Sequence, residues 1–143
     1  MKTILVDSGA WVALKNRKDK HHEAVLRWLE KNAHKNIRLA TTWVVLCESF
    51  YLIKYGVNFK VATSLFHDFN NNIFDVFNLD DTHTQKITLL LNKYEDNDID
   101  LADVSLVIAA EHFNTGEILT VDENDFDALR WGRNKKFKLL LRE

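Results

Sequence analysis

Residues 4–14 read ILVDSGAWVAL, an apolar run with a single charge at Asp7. From Thr3 to Val6 the residues are aliphatic or β-branched without alternation, which is typical of a strand buried on both faces in a parallel sheet. Residues 8–14 then have the composition of a helix. We therefore expect Asp7 to stand at the carboxyl end of a buried strand, in a position to cap the helix that follows.

The remaining sequence alternates between strand-like and helix-like segments. Further strands are predicted at 37–40, 73–79, 116–121 and 137–141. Helices are predicted at 20–33, 57–69, 82–94 and 124–129. Two more helices are predicted, one that begins after Thr42 as its N-cap and one that begins at Asp100 and ends at Gly116. This alternation predicts an α/β fold with a mainly parallel central sheet. A length of 143 residues without a repeat or linker predicts one domain over residues 1–143.

The sequence contains no candidate membrane segment. Its start, MKTILVDSGAW, is too short an apolar run for a signal peptide, and no stretch approaches the roughly 18 apolar residues of a membrane span. The single Cys47 lies in an apolar run, so we expect it to pack in the core. These features predict a cytoplasmic protein with no membrane partner.

The charge is unevenly distributed. A net charge of −2 and a pI of about 6.3 exclude the strongly basic body expected of a general nucleic-acid binder. Residues 128–143 are nevertheless basic, and they contain Arg130, Arg133, Lys135, Lys136, Lys138 and Arg142 against the single acid Glu143. This segment is either a solvated edge whose charges prevent strand pairing or a contact surface for a phosphate backbone.

Three more apolar stretches are each interrupted by one carboxylate, as the first is by Asp7. Glu48 lies in LCESFYL, Asp103 lies in LADVSLVIAA and Asp122 closes ILTVD. Apolar stretches of this kind are expected to be buried, but Asp and Glu are rarely buried without compensation, and grouped carboxylates raise one another's pKa values. A divalent cation is the simplest compensation for four such groups.

Ordinary structural roles are also open to these acids. Asp100 with Asp103, and Asp122 with Asp125, have the spacing of paired residues at a helix N-terminus. Glu48 lies in mid-helix, where a hydrogen-bonded buried acid is the alternative to a ligand. Because ligands collect at the carboxyl ends of parallel strands, we expect the four isolated acids to converge there.

Metal-assisted hydrolysis of a phosphodiester is the chemistry that needs such a set. Mg²⁺ or Mn²⁺ prefers oxygen ligands and retains several waters. One or two ions polarise the phosphoryl oxygen and orient a water as the nucleophile. Ser8 and Thr120, close in sequence to Asp7 and Asp122, are placed to hold ligands or waters; the alternatives are a helix cap and a strand residue.

In this order the motifs resemble those of PIN-domain ribonucleases, especially the small VapC-type toxins of toxin–antitoxin pairs. The residues that carry the resemblance are VDSGAW, Glu48 in LCESFYL, Asp103 in DLADVSLVIAA, and T-x-D with a nearby Phe in LTVDENDF. The likeness extends over essentially the whole chain, in motif order and in length. Each motif is short, whereas the ordered quartet is fairly specific.

The resemblance implies a three-layer α/β/α fold and Mg²⁺- or Mn²⁺-dependent cleavage of RNA. It also implies a homodimer and inhibition by a small cognate antitoxin whose tail covers the acidic groove. Asp7, Glu48, Asp103 and Asp122 correspond to the family's catalytic, metal-binding acids, and Asp125 either assists a metal-bound water or caps its helix. Four of the basic residues are the candidate RNA contacts: Arg130, Arg133, Lys135 and Lys136.

Two other functions remain open. A PIN-like domain can bind RNA or a protein partner without useful cleavage, and an RNA-processing nuclease need have no role as a toxin. The sequence has no Gly-rich phosphate loop, no Cys–His cluster and no Ser–His–Asp elbow, so nucleotide hydrolysis by a P-loop is excluded at the motif level.

Overall fold

The first strand is buried on both faces, as its composition predicts. A computed structural model describes residues 1–142, and Glu143 lies outside the described residues. Strand β1 is Lys2–Val6, and Ile4, Leu5 and Val6 are 1%, 0% and 3% exposed. Asp7 ends the strand and caps the helix that begins at the next residue.

Most predicted segments are present, with boundaries shifted by a few residues. The helices are α1 (Ser8–Lys15), α2 (His22–Asn32), α3 (Trp43–Gly56), α4 (Phe59–Asn70), α5 (Thr84–Lys93), α6 (Leu101–Phe113) and α7 (Glu123–Ala128). The other strands are β2 (Ile37–Thr42), β3 (Phe74–Phe77), β4 (Glu117–Leu119), β5 (Arg130–Trp131), β6 (Lys135–Lys136) and β7 (Lys138–Leu139). Thr42 caps α3 through its side chain, as predicted.

The central sheet has five parallel strands in the order β3-β2-β1-β4-β7. The chain moves outward in one direction from β1 to β3 and then crosses to the other side of β1 for β4. Because such crossovers are almost always right-handed, the helices before β3 and those after it cover opposite faces of the sheet. The α/β fold with a mainly parallel sheet is therefore confirmed.

The strand order reverses between β1 and β4, which lie side by side. The backbone N–H of Asp7 donates to the carbonyl oxygen of Leu119 over 3.1 Å, so the carboxyl ends of these two strands are adjacent. In open α/β sheets the crevice beyond such a reversal is where ligands bind. The fold thus brings the residues after β1 and β4 to one crevice.

Gly116 does not end α6, contrary to the prediction. Asn114 does so, in the left-handed conformation with φ of 52°, a conformation that Asn tolerates better than most residues. Gly116 instead leaves room for a tryptophan, because a Cβ built on it would lie 2.1 Å from Nε1 of Trp131. The glycine is required by packing between α6, β4 and β5.

The C-terminal region departs further from the predicted single strand at 137–141. The strand is only Lys138–Leu139, and before it β5 and β6 form an antiparallel hairpin that the sequence analysis did not foresee. A pair of two-residue strands gives too little periodicity to be recognised. The expectation that Cys47 packs in the core is also wrong, since this thiol is exposed on α3.

Within residues 1–142, every helix is too short or too polar to traverse a lipid bilayer.

Candidate active site

Asp7 lies at the centre of the crevice between β1 and β4. Its side chain is only 5% exposed; Oδ1 accepts a hydrogen bond from the Ser8 backbone N–H at 2.7 Å, and Oδ2 accepts one from Thr120 Oγ1 at 2.9 Å. Burial raises the pKa of Asp7 to about 6, and the charges of Glu48 and Asp122 add to this, against the lowering effect of the two hydrogen bonds. The residue is therefore a buried acid surrounded by other acids.

Glu48 approaches Asp7 from α3 and is joined to it through Ser8. The Ser8 hydroxyl donates a short hydrogen bond to Oε1 of Glu48 and lies 3.5 Å from Oδ1 of Asp7. Glu48 is half-buried. The serine therefore holds two carboxylates from distant parts of the sequence beside each other.

Asp103 has the capping geometry that its spacing from Asp100 predicts. The Asp103 N–H donates to Oδ1 of Asp100 at 3.0 Å, and Oδ2 of Asp103 accepts from the Asp100 N–H at 3.2 Å. Asp103 is 8% exposed, and its pKa is raised to about 8, first by burial and then by the charges of Asp100, Asp7 and Asp125. Capping uses one of its oxygens, and the like charges around it remain uncompensated.

Asp122 is the one acid of the quartet that is exposed, contrary to the expectation of burial. It caps α7, and its Oδ1 accepts the Asp125 N–H at 3.3 Å. Its own N–H donates to Oγ1 of Thr120 at 2.9 Å. Burial and the neighbouring Asp122 raise the pKa of Asp125 to about 6. These two acids form the rim of the crevice, whereas Asp7 and Asp103 lie at its base.

The predicted residues thus converge without any cation to balance them. Among residues 1–142, no lysine, arginine or histidine forms an ion pair with Asp7, Glu48, Asp103, Asp122 or Asp125. Burial, followed by the charges of neighbouring acids, raises the pKa values of Asp7, Asp103 and Asp125. A bound cation would relieve this repulsion.

The donor set fits a hard divalent ion that keeps its own waters. No group of three or more His, Cys, Asp or Glu side chains within residues 1–142 is arranged to hold a metal ion by itself. Mg²⁺ rarely uses such an all-protein cage and instead combines one or two carboxylates with water and substrate oxygens. Asp7 and Asp103 with Glu48 or Asp122 would provide that kind of partial, oxygen-only ligation.

One residue important for the crevice, Gly9, was not recognised in the sequence. A Cβ built on Gly9, in the first turn of α1, would lie 2.5 Å from Cγ2 of Val121, so the glycine lets α1 approach the loop that carries Asp122. Thr120 was singled out, but its double contact with Asp7 and the Asp122 N–H was not. A glycine inside a predicted helix, in a chain with only four, was the available indication.

The four basic residues proposed as RNA contacts lie elsewhere. They belong to the β5–β6 hairpin, whose Trp131 packs on Gly116 just before β4, whereas Asp122 follows the other end of that strand. The guanidinium Nη1 of Arg130 donates to the carbonyl oxygens of Asp127 and Leu129 at 2.6 and 3.0 Å. The remaining three, Arg133, Lys135 and Lys136, are exposed. RNA would have to extend along the protein to touch both regions.

The fold and the crevice define an α/β protein with an acidic site at the strand-order reversal. A model of the PIN domain family matches residues 4–132, and the chain belongs to this family. Ribonuclease VapC26 of Mycobacterium tuberculosis is 24% identical over 127 residues, which cover 89% of this chain and 92% of that protein.

Two solved structures share the fold. Mycobacterium tuberculosis VapC20, a toxin that cleaves the sarcin–ricin loop, superposes with a TM-score of 0.74 and 18% identity over 83% of this chain and 89% of its own. VapBC2 of Rickettsia felis, solved with a DNA fragment of its promoter, has a TM-score of 0.65 and 17% identity over 96% and 98% of the two chains. The three-layer PIN-like architecture implied by the motifs is thereby confirmed.

Proposed function

We propose that this protein is a metal-dependent endoribonuclease and the toxin of a toxin–antitoxin pair. The observation that carries the proposal is the convergence of Asp7, Glu48, Asp103 and Asp122 on one crevice without a balancing cation. A binding module gains nothing from such repulsion, whereas a nuclease uses it to hold Mg²⁺ or Mn²⁺. The likeness to Ribonuclease VapC26 over nearly the whole chain supports the same reaction class.

Each acid has a distinct part in this proposal. Asp7 and Asp103 would hold one or two ions from the base of the crevice, because they are buried and their carboxylates accept backbone hydrogen bonds. Glu48 and Asp122 complete the set from either side, and Asp125 orients water at the rim. When bound, the ion supplies charge stabilisation at the phosphoryl oxygen and lowers the pKa of a water.

Ser8 and Thr120 position these acids without touching the phosphate. The Ser8 hydroxyl bridges towards Glu48, and Thr120 lies between Asp7 and the Asp122 N–H. Hydrogen bonds behind a ligand fix its orientation, and their loss typically costs about 10- to 100-fold in metal affinity or activity.

The direct experiment is cleavage of a mixed RNA pool with Mg²⁺, with Mn²⁺ and with chelator. Asp103→Asn should abolish metal-dependent cleavage, whereas Asp81→Asn, a change at an exposed acid outside the crevice, should leave it intact. Wild-type protein that cleaves nothing, even after refolding to remove a copurified inhibitor, would instead support a PIN-like binding module.

A partner is supported by an exposed apolar face on α3. Tyr51, Leu52 and Tyr55 lie in the second half of this helix, after Glu48, and are 61%, 43% and 69% exposed. Exposed aromatic patches of this kind mark interaction sites. We propose that the antitoxin covers the acidic crevice and continues along this face, and that the protein also forms a homodimer.

The toxin role has its own test. Induced expression should arrest growth, and co-expression of a short open reading frame encoded next to this gene should relieve the arrest. Cleavage of RNA without growth arrest would support an RNA-processing nuclease. Sedimentation or light scattering of the purified chain, alone and with the partner, reports the oligomeric state.

A further inference from the structure

A second cavity of about 380 Å³ lies at the edge of the sheet opposite the acidic crevice. It is formed by the starts of four parallel strands, at Lys2, Ile37, Glu117 and Lys138, and by helix α2. Strand β1 separates Lys2 from Asp7 by five residues, or about 16 Å. The cavity is therefore a separate site, and its volume is in the range of small-ligand pockets.

The cavity is strongly basic. Five basic residues line it, Lys2, Lys31, Lys35, Lys138 and Arg142, and Glu117 is the one acid that does so among residues 1–142. The whole chain has a net charge of −2, so the charge at this cavity is opposite in sign to that of the protein.

Only part of this positive charge is neutralised by the protein. Lys2 pairs with Glu117 at 3.1 Å, and Arg142 pairs with Asp127 at 2.7 Å. Lys31, Lys35 and Lys138 form no ion pair with any residue from 1 to 142, so the cavity retains three free cations. Three lysines in the lining of one cavity, without a paired acid among residues 1–142, favour an anion there.

An aromatic wall adjoins these lysines. Trp28 lines the cavity and also an adjoining recess of about 150 Å³, which contains Arg27 and Leu140. Trp28 is half-buried, so one part of its ring is supported by the protein while another remains accessible. A positively charged groove next to an aromatic ring is the combination that binds single-stranded nucleic acids and nucleotides, because the phosphate meets the cations while the base stacks.

We propose that this cavity binds a nucleotide, with its phosphate at Lys31, Lys35 and Lys138 and its base against Trp28. The same chemistry is presented by a free nucleoside monophosphate and by one nucleotide of a longer RNA strand. In the second case the cavity anchors RNA on the face opposite the acids. The proposal does not depend on cleavage, because all its residues lie outside the acidic crevice.

The test uses the full-length protein in chelator, so that nothing is cleaved. Adenosine 5′-monophosphate and a short single-stranded RNA are titrated in parallel at several salt concentrations. Lys31→Ala/Lys35→Ala should weaken binding at least tenfold and reduce the salt dependence. Lys60→Ala/Lys93→Ala, which removes two exposed lysines from α4 and α5, is the matched control and should bind as the wild type does.

Tryptophan fluorescence tests whether the base of the bound nucleotide stacks on Trp28. Quenching by the nucleotide should disappear in Trp28→Phe, and binding followed by calorimetry should persist, because phenylalanine retains a stacking surface. Both lysine variants should unfold at nearly the wild-type temperature, since the four residues are exposed.

The outcomes distinguish a site for free nucleotides from a site for one nucleotide of an RNA strand. Loss of both ligands in the Lys31/Lys35 variant establishes a site for free nucleotides, and loss of RNA binding alone assigns the cavity to a bound strand. Equal binding by the two lysine variants overturns the proposal. Nucleotide binding by a protein that cleaves no RNA would leave the cavity in place and refute only the nuclease.

Discussion

Thr120 Oγ1 donates a hydrogen bond to Oδ2 of Asp7 over 2.9 Å, between residues 113 positions apart in the sequence. The same oxygen accepts the N–H of Asp122 at 2.9 Å. One hydroxyl thus joins an acid at the base of the crevice to the backbone of an acid at its rim. The contact exists because β1 and β4 are neighbours at the reversal of strand order.

Replacing Thr120 with Val should reduce cleavage about 10- to 100-fold while the fold is retained. The isosteric side chain removes a hydrogen bond that lowers the pKa of Asp7, so the pH at which activity rises should move upward. A pH–rate profile measures this. Thr120→Ser keeps the hydroxyl and should restore the wild-type profile; an unchanged profile in Thr120→Val would contradict the positioning role.

The metal-free protein should lose stability as the pH rises. The folded-state pKa of Asp7 is about 6 against an ordinary value of 3.8, so the folded state binds the proton more tightly and stability falls between about pH 4 and 6. Asp103, raised to about 8, extends the fall to about pH 8. The effect at Asp7 alone is about 3 kcal/mol. Thermal unfolding in chelator across this range measures it.

Asp7→Asn should therefore stabilise the metal-free protein at pH 8, and it should abolish stabilisation by added Mg²⁺ or Mn²⁺. In the wild type the ion should raise the unfolding temperature more at pH 8 than at pH 5, because protons compete with it at the lower pH. The matched control is Asp81→Asn. A variant that responded to metal as strongly as the wild type would remove Asp7 from the metal site.

Gly9→Ala should reduce cleavage by more than its loss of stability explains. The new methyl group would lie 2.5 Å from Cγ2 of Val121, and relief of this contact shifts the loop next to Asp122. Val121→Ala removes the opposing methyl, so the double variant should recover much of the activity. Gly56→Ala, where nothing lies within 4 Å, is the control and should be nearly neutral. Additive effects of the two changes would argue against the contact.

Lys135→Ala/Lys136→Ala should weaken RNA binding and flatten its salt dependence if the hairpin meets phosphate. Lys135 Nζ lies 4.7 Å from the centre of the Trp131 ring, so the first change also removes a cation–π contact. Lys136→Ala alone avoids that complication. A variant that binds RNA as the wild type does at every salt concentration would exclude the hairpin from the RNA surface.

The sequence alone was sufficient to predict the α/β class and most of the secondary structure, and it singled out the four acids as candidates. This is because a buried strand and an amphipathic helix leave periodic patterns, and because a lone carboxylate in an apolar run stands out from its neighbours. The short hairpin at 130–136 and the role of Gly116 left no such pattern, since both depend on the packing of Trp131.

Tertiary structure alone decided how the acids are held and where the basic residues lie. The burial of Asp7, the exposure of Asp122 and the bridging contacts of Thr120 all arise from the adjacency of β1 and β4. The basic cavity around Lys31 gathers the starts of four strands that are distant in sequence. A local residue pattern shows which face of a segment is buried. Which segments contact one another depends on the strand order of the sheet, and no local pattern predicts that order.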